Sequence, residues 1–82
     1  MRQSLNLQDM FLNKARKEEI NITIHLINDH KLNGTVKGFD NYTIILETGT
    51  EGESEQQLIY KHSIAIIVPE NSIILNNWYN RI

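Results

Sequence analysis

The chain has 82 residues, no cysteine and a formal net charge of −2 at pH 7. That length allows one small domain, which buries a modest share of its surface and usually needs added stabilisation. Disulfides and thiolate metal sites are excluded, and His25, His30 and His62 lack zinc-ligand spacing, so no metal or other cofactor is expected and self-association is the route left.

Asn6 reads as a helix cap, with Asp9 three residues on. Leu7, Met10, Phe11 and Ala15 make one apolar stripe of a helix reaching about Lys17, with Gln8, Asn13, Lys14, Arg16 and Lys17 off the stripe. The period then changes. Ile20, Ile22, Ile24 and Leu26 alternate with Asn21, Thr23 and His25, the pattern of a half-buried strand. Asn28-Asp29 is a hairpin turn signal. A second strand spans Lys31 to Asp40, with Leu32 and Val36 inward and Gly34 and Gly38 on that same face, where they permit strong curvature or close approach of another backbone.

Asp40-Asn41 marks the next turn, and Tyr42 to Glu47 a third strand. Thr48 to Glu55, with two glycines and several glutamates, reads as an exposed acidic loop. Gln57 to Lys61 and Ser63 to Val68 are the last two short strands, closed by Pro69. One helix followed by five short bent strands predicts a mostly β protein built as a small, partly open barrel. The domain is placed at residues 1–69 and a short tail at 70–82. No apolar run reaches membrane-spanning length and no signal-peptide pattern opens the chain, so a soluble cytoplasmic protein without membrane contact is expected.

Between the last two strands stands Tyr60-Lys61-His62. A connection this short forces a sharp bend and is expected to push Lys61 and His62 out at a corner. An ammonium and an imidazole beside an aromatic ring offer donors for a phosphate or a base edge. The net charge of −2 does not exclude such a ligand. Acids collect at Glu18-Glu19 and in the 47–55 segment, while bases collect at residues 14–17 and at Lys31, Lys37 and Lys61, and local fields govern binding. The almost wholly apolar run Ser63 to Val68 would be an aggregation hazard as a free edge. Pairing head to tail with a neighbouring copy closes a ring and satisfies every edge; a central strand in a monomer is the alternative.

The segments Asn6 to Asn13, Lys31-Leu32-Asn33-Gly34, Phe39-Asp40-Asn41-Tyr42-Thr43 and Tyr60-Lys61-His62, with Pro69 after the last strand, resemble Hfq, the bacterial Sm-like RNA chaperone family. Four separated motifs in the right order over residues 5–69 make this specific, where any one alone would be weak. The resemblance implies an Sm-like fold, a homohexameric ring, and RNA binding on a proximal face, a distal face and a rim.

For the proximal face it implies Gln8, Asn41, Tyr42, Lys61 and His62 as holders of a uridine-rich strand. The chemistry agrees: Tyr42 offers a stacking ring, Gln8 and Asn41 paired donors and acceptors, and Lys61 and His62 partners for phosphate, ribose or carbonyl oxygens. Singly, Tyr42 reads equally well as a strand aromatic and Gln8 as a solvated helix residue; their force comes from the set. Asp9, Asp40 and Tyr60 read as supports: a cap, a turn and a subunit contact.

For the distal face the resemblance implies His25, His30, Lys31, Leu32 and Asn33, with Asp29 among them. Where the family commonly has an aromatic, a glycine and an apolar residue, this chain has His25, Asp29 and His30. A histidine still stacks, but Asp29 opposes phosphate and weighs against adenine-rich RNA. The rim keeps Asn13, Arg16 and Lys17, followed at once by Glu18 and Glu19, which predicts weakened annealing; Arg16 and Lys17 are equally explained as cations near a helix C-terminus. The apolar tail Ile73 to Tyr79 is expected to pack back on the body, with docking of a protein partner as the alternative.

Catalysis is not expected. No phosphate loop or paired carboxylates occur, and His62-Ser63 has no orienting acid that the sequence identifies. The expected function is a ring-shaped RNA chaperone that holds uridine-rich ends of small regulatory RNAs and promotes their pairing with messenger RNA. A protein-interaction scaffold that keeps the ring but has lost RNA affinity is the competing class.

Overall fold

The computed structural model describes residues 6–50 and 52–73. Asn6 is extended, and its side-chain oxygen accepts the Asp9 N–H at 3.2 Å, satisfying an orphan donor of the first turn. Asn6 is thus the cap, and the Asp9 carboxylate is free for another partner. The helix α1 runs Leu7–Lys17. Its buried residues are Leu12 and Ala15, with Phe11 packed beside them. The expected stripe is therefore rotated: Leu7 is 45% exposed, because it starts the helix and has no preceding turn to lean on.

The helix ends without glycine. Ile20 N–H donates to the Ala15 carbonyl at 3.0 Å and Glu19 N–H to that of Arg16 at 3.3 Å, with Glu19 left-handed at φ 52°. These are the two bonds of a Schellman cap, a motif that favours glycine at the position Glu19 holds. Glu19→Gly is expected to stabilise the fold by about 1 kcal/mol, since a side chain in this conformation costs about that much. A shift of the urea midpoint to higher concentration checks it; no shift would mean that the glutamate side chain compensates its own strain.

Five strands follow: β1 (Ile22–Leu26), β2 (Lys31–Phe39), β3 (Thr43–Thr48), β4 (Glu55–Tyr60) and β5 (Ile64–Pro69). All pairings are antiparallel, in the order β4-β3-β2-β1-β5. Strand β1 starts two residues later than the alternation indicates, because Ile20 is buried as part of the helix cap rather than in the sheet. Strand β4 starts earlier than Gln57: its polar residues Glu55 and Gln56 pair with Thr48 and Glu47.

One face of the curled sheet and the helix enclose Leu12, Ala15, Ile22, Ile24, Val36, Ile44, Leu46 and Ile59. Two features let β2 wrap this core. The register slips between Val36 and Gly38, a bulge that bends the strand. At Gly34 a Cβ would collide with the Glu47 carbonyl oxygen and lie 2.9 Å from its carbon, so glycine is required for the β2–β3 approach. Gly38 has open space around it and carries no such requirement.

The sheet is curled but not closed, and its edges are β4 and β5. Among the described residues β5 is thus no central strand: its one partner there is β1, and it leaves Ile66 56% and Val68 46% exposed on the outer face. After β5, Glu70 N–H donates to the Asn21 carbonyl at 2.8 Å, and Ile73 packs against the core. The rest of the apolar tail lies outside the described residues.

Candidate nucleic-acid interface

The β2–β3 turn is built by one carboxylate. Asp40 Oδ1 accepts the Tyr42 N–H at 2.9 Å, the Thr43 N–H at 2.8 Å and the Thr43 hydroxyl at 2.8 Å. This turn holds Tyr42 75% exposed, with Asn41 exposed beside it. Chiefly the Tyr42 N–H, then the Thr43 hydroxyl and N–H, hold the Asp40 carboxyl below its ordinary value of 3.8. A folded-state value below the unfolded one gives stability that is present above about pH 4 and lost as the pH falls through the folded value. Glu47 shifts in the same direction, through Lys37 first and Ser54 second. Asp40→Asn is therefore expected to show a shallower loss of stability on acidification below about pH 4 than the parent, read from urea midpoints across pH. An equal acid loss in both proteins would remove Asp40 from this account.

The Tyr60-Lys61-His62 corner is tied to that turn. The Lys61 N–H donates to the Tyr42 carbonyl at 2.7 Å, and Lys61–Ser63 form a single 3-10 turn between β4 and β5. His62 is exposed and its ring lies 5.9 Å from that of Tyr60, tilted by 31°. Lys61 is not pushed out as the bend suggested. Its side chain is 14% exposed, with Nζ 3.8 Å from Asp9 Oδ1 and 5.7 Å above the Phe39 ring. The stem lies on apolar surface and the charge is oriented by a carboxylate and an aromatic face.

Beside Lys61 opens a cavity of about 320 Å³, lined by Gln8, Phe11, Leu12, Ile44, Ile64, Ala65 and Ile67. Gln8 and Lys61 are its polar groups. Three separate segments thus meet here: Gln8 and Lys61 line one cavity, the Lys61 backbone is bonded to that of Tyr42, and Asn41 and His62 are the exposed chain neighbours of Tyr42 and Lys61. Two residues of this site carry roles that the sequence reading did not give them: Asp9, taken as a cap, and Phe39. Asp9 sits next to Gln8 on the helix, but nothing in the linear sequence pairs it with Lys61.

On the outer face the strand register sorts the other candidates. His25 lies directly opposite Lys31, and Thr23 opposite Asn33. The Asn33 amide is engaged: Nδ2 donates to the Ile22 carbonyl at 3.1 Å and to Thr23 Oγ1 at 2.9 Å. Leu32, opposite Ile24, packs against the core, so its side chain is not presented with Lys31 and Asn33. Asp29 takes φ 75° in the turn, and His30 N–H donates to Asn28 Oδ1 at 3.1 Å; both residues are exposed. At the rim, Arg16 Nη2 donates to Asn13 Oδ1 at 2.7 Å, Lys14 pairs with Glu18 at 3.4 Å, and Lys17 is exposed.

Among the described residues, no group of three His, Asp or Glu side chains is placed to hold a metal ion, and no helix is long and apolar enough to cross a membrane.

The model of the family described as Hfq protein matches residues 7–74, most of the chain. This chain belongs to the Hfq family. It is 51% identical over 73 residues to the RNA-binding protein Hfq of Bacillus thuringiensis (strain Al Hakam), covering 89% of this chain and 93% of that protein. The Hfq proteins of Bacillus mycoides (strain KBAB4) and Bacillus cereus (strain B4264) are similar to the same extent. Among solved structures, the 1.55 Å crystal structure of the pleiotropic translational regulator Hfq aligns with a TM-score of 0.68 at 28% identity, over 77% of this chain and 98% of that one. The Hfq fold, an N-terminal helix on five curled antiparallel strands, is the fold described above.

Proposed function

We propose that this chain binds single-stranded, uridine-rich RNA ends and acts in the cytoplasm as a chaperone that pairs small regulatory RNAs with messenger RNA. The observation that carries this reading is the joining of Tyr42 and Lys61 through a backbone hydrogen bond, with Gln8 across the adjoining cavity and His62 exposed beside them. An exposed ring accepts any base by stacking, Gln8 supplies a donor and an acceptor for a base edge, and the two cationic or polar side chains meet phosphate and ribose. Asn41 borders the stack.

The free edges support a ring of identical copies. Strands β4 and β5 stand at opposite ends of the sheet, so β5 of one chain and β4 of the next complete each other head to tail, and ring closure leaves no edge. A hexamer is the ring this reading adopts. It would repeat Lys61 around one axis, which concentrates positive charge on a protein of net charge −2 per chain. Asn13, Arg16 and Lys17 form a second, weaker phosphate-binding stripe at the rim.

The deciding measurement is binding of a labelled oligo-uridylate at two ionic strengths, with the native mass determined on the same sample. Binding that weakens steeply with salt, by a protein of hexamer mass, is expected. A ring that binds no oligo-uridylate would instead establish the scaffold reading. A monomer would overturn the ring.

A further inference from the structure

Asn33-Gly34 is the one Asn-Gly pair of the chain. Such a pair is open to a rearrangement that needs only water, because glycine has no Cβ to hinder its own nitrogen. The Gly34 nitrogen attacks Asn33 Cγ, and the new C–N bond closes a five-membered succinimide. The side-chain amide nitrogen leaves as ammonia, taking the proton that Gly34 gives up. Water then opens one of the two ring carbonyls. Opening at one leaves aspartate; opening at the other leaves isoaspartate, in which the main chain runs through the former side chain.

The fold restrains both partners of this reaction. Asn33 lies in the extended strand β2, opposite Thr23 of β1. Its Nδ2 donates to the Ile22 carbonyl at 3.1 Å and to Thr23 Oγ1 at 2.9 Å, which ties the amide to β1. Gly34 is buried, paired with Ile22 on one side and Thr48 on the other, and its Cα stands against the Glu47 carbonyl. Ring closure brings the Gly34 nitrogen within covalent reach of Cγ. Asn33 must leave the extended conformation for that, and the planar peptide carries Gly34 with it. Strand β2 therefore has to part from its neighbours first.

We propose that Asn33-Gly34 is a latent modification site, closed in the folded chain and opened when β2 is released, whose rearrangement withdraws that chain from refolding. Aspartate at position 33 accepts hydrogen bonds and donates none, so the Ile22 carbonyl loses its donor and faces a carboxylate. The Thr23 hydroxyl can turn to donate, which recovers one contact of the two. Isoaspartate does more. It lengthens the main chain of the middle strand of the sheet by one methylene, and β2 then loses its register with β1 and β3 and its close approach at Gly34. Time spent unfolded is thereby written into the covalent structure. This chemistry is independent of RNA binding.

The test ages the full chain in buffer and in guanidinium chloride, digests both samples, and follows the peptide holding Asn33-Gly34 by mass spectrometry, with isoaspartyl methyltransferase labelling to score isoaspartate. Conversion in buffer is expected to be at least about tenfold slower than in denaturant, since it proceeds through the small open population. A smaller difference overturns the protection, and no conversion at Asn33 in denaturant overturns the site. Protein aged in denaturant is then returned to buffer and separated by gel filtration into folded and misfolded fractions. The converted peptide should concentrate in the misfolded fraction; equal shares in the two overturn the withdrawal from refolding. An Asn33→Gln variant, whose longer side chain closes such a ring far more slowly, accounts for the other asparagines. Measured against its own fresh sample, it should lose less refolding yield on ageing than the parent, and an equal loss would overturn the assignment to Asn33.

Discussion

Replacing Lys61 and His62 together by alanine is expected to weaken oligo-uridylate binding at least about a hundredfold. Hydrogen bonds to a charged partner contribute about 1.5–3 kcal/mol each, and two of them approach 3–4 kcal/mol once overlap is allowed for. The loss has a second source. Asp9 lies 3.8 Å from the Lys61 ammonium, and removal of the amine leaves a carboxylate facing the incoming phosphate or carbonyl. Asp9→Asn added to Lys61→Ala should therefore recover part of the affinity. The salt dependence should flatten at the same time, because fewer counterions are released when fewer cations meet the backbone. Anisotropy titrations at two salt concentrations give both numbers, and unchanged urea midpoints establish that the variants are folded. Binding that survives the double substitution with its salt slope intact would move the uridine site away from this corner.

Gly34→Ala is expected to destabilise the fold by about 3 kcal/mol or more, near the upper end of what overpacking costs, whereas Gly38→Ala should change it by less than about 1 kcal/mol. Both glycines lie in β2, yet only the first meets backbone. The added methyl at position 34 would overlap the Glu47 carbonyl oxygen and sit 3.2 Å from the Thr48 Cα, neither of which can move without parting β2 from β3. At position 38 the methyl enters open space. Urea denaturation of the two variants separates them, and equal effects would show that strand entropy rather than close approach decides both.

Much of this was legible because the physics that writes it is local. Ile22 and Ile24 announce β1 by period-two alternation, Asn6 announces the helix by its oxygen three residues before a free N–H, and Asp40-Asn41 announces a turn that one carboxylate closes. What stayed hidden depends on tertiary placement. Glu55 and Gln56 have no strand-like composition, and only pairing with β3 makes them one. Glu19 hides a helix cap because the usual glycine signal is missing. At the site, Gln8, Tyr42 and His62 were readable as chemistry and the family resemblance grouped them. The inward lean of Lys61 over Phe39 toward Asp9 was not, since its partners lie on the helix and on β2. Leu32 was named with its neighbours, yet alternation sends its side chain to the opposite face.

The strand order also sets a sequence of events in folding. Strands β1 to β4 are joined by three hairpins, whose short loops close quickly. Strand β5 must instead travel back to the first strand, aligning Pro69 with Ile22 across more than half of the chain. That long closure carries a larger entropic cost than the hairpins do, so β5 is expected to dock last. Lys61 and His62 sit on the connection that this docking fixes, and the cavity beside them takes part of its wall from Ile64, Ala65 and Ile67. The corner proposed to hold RNA is therefore expected to form only with the final contact of the fold. On the proposed function, a nascent or partly unfolded chain has the residues but no site, and capture of RNA is expected only from finished molecules.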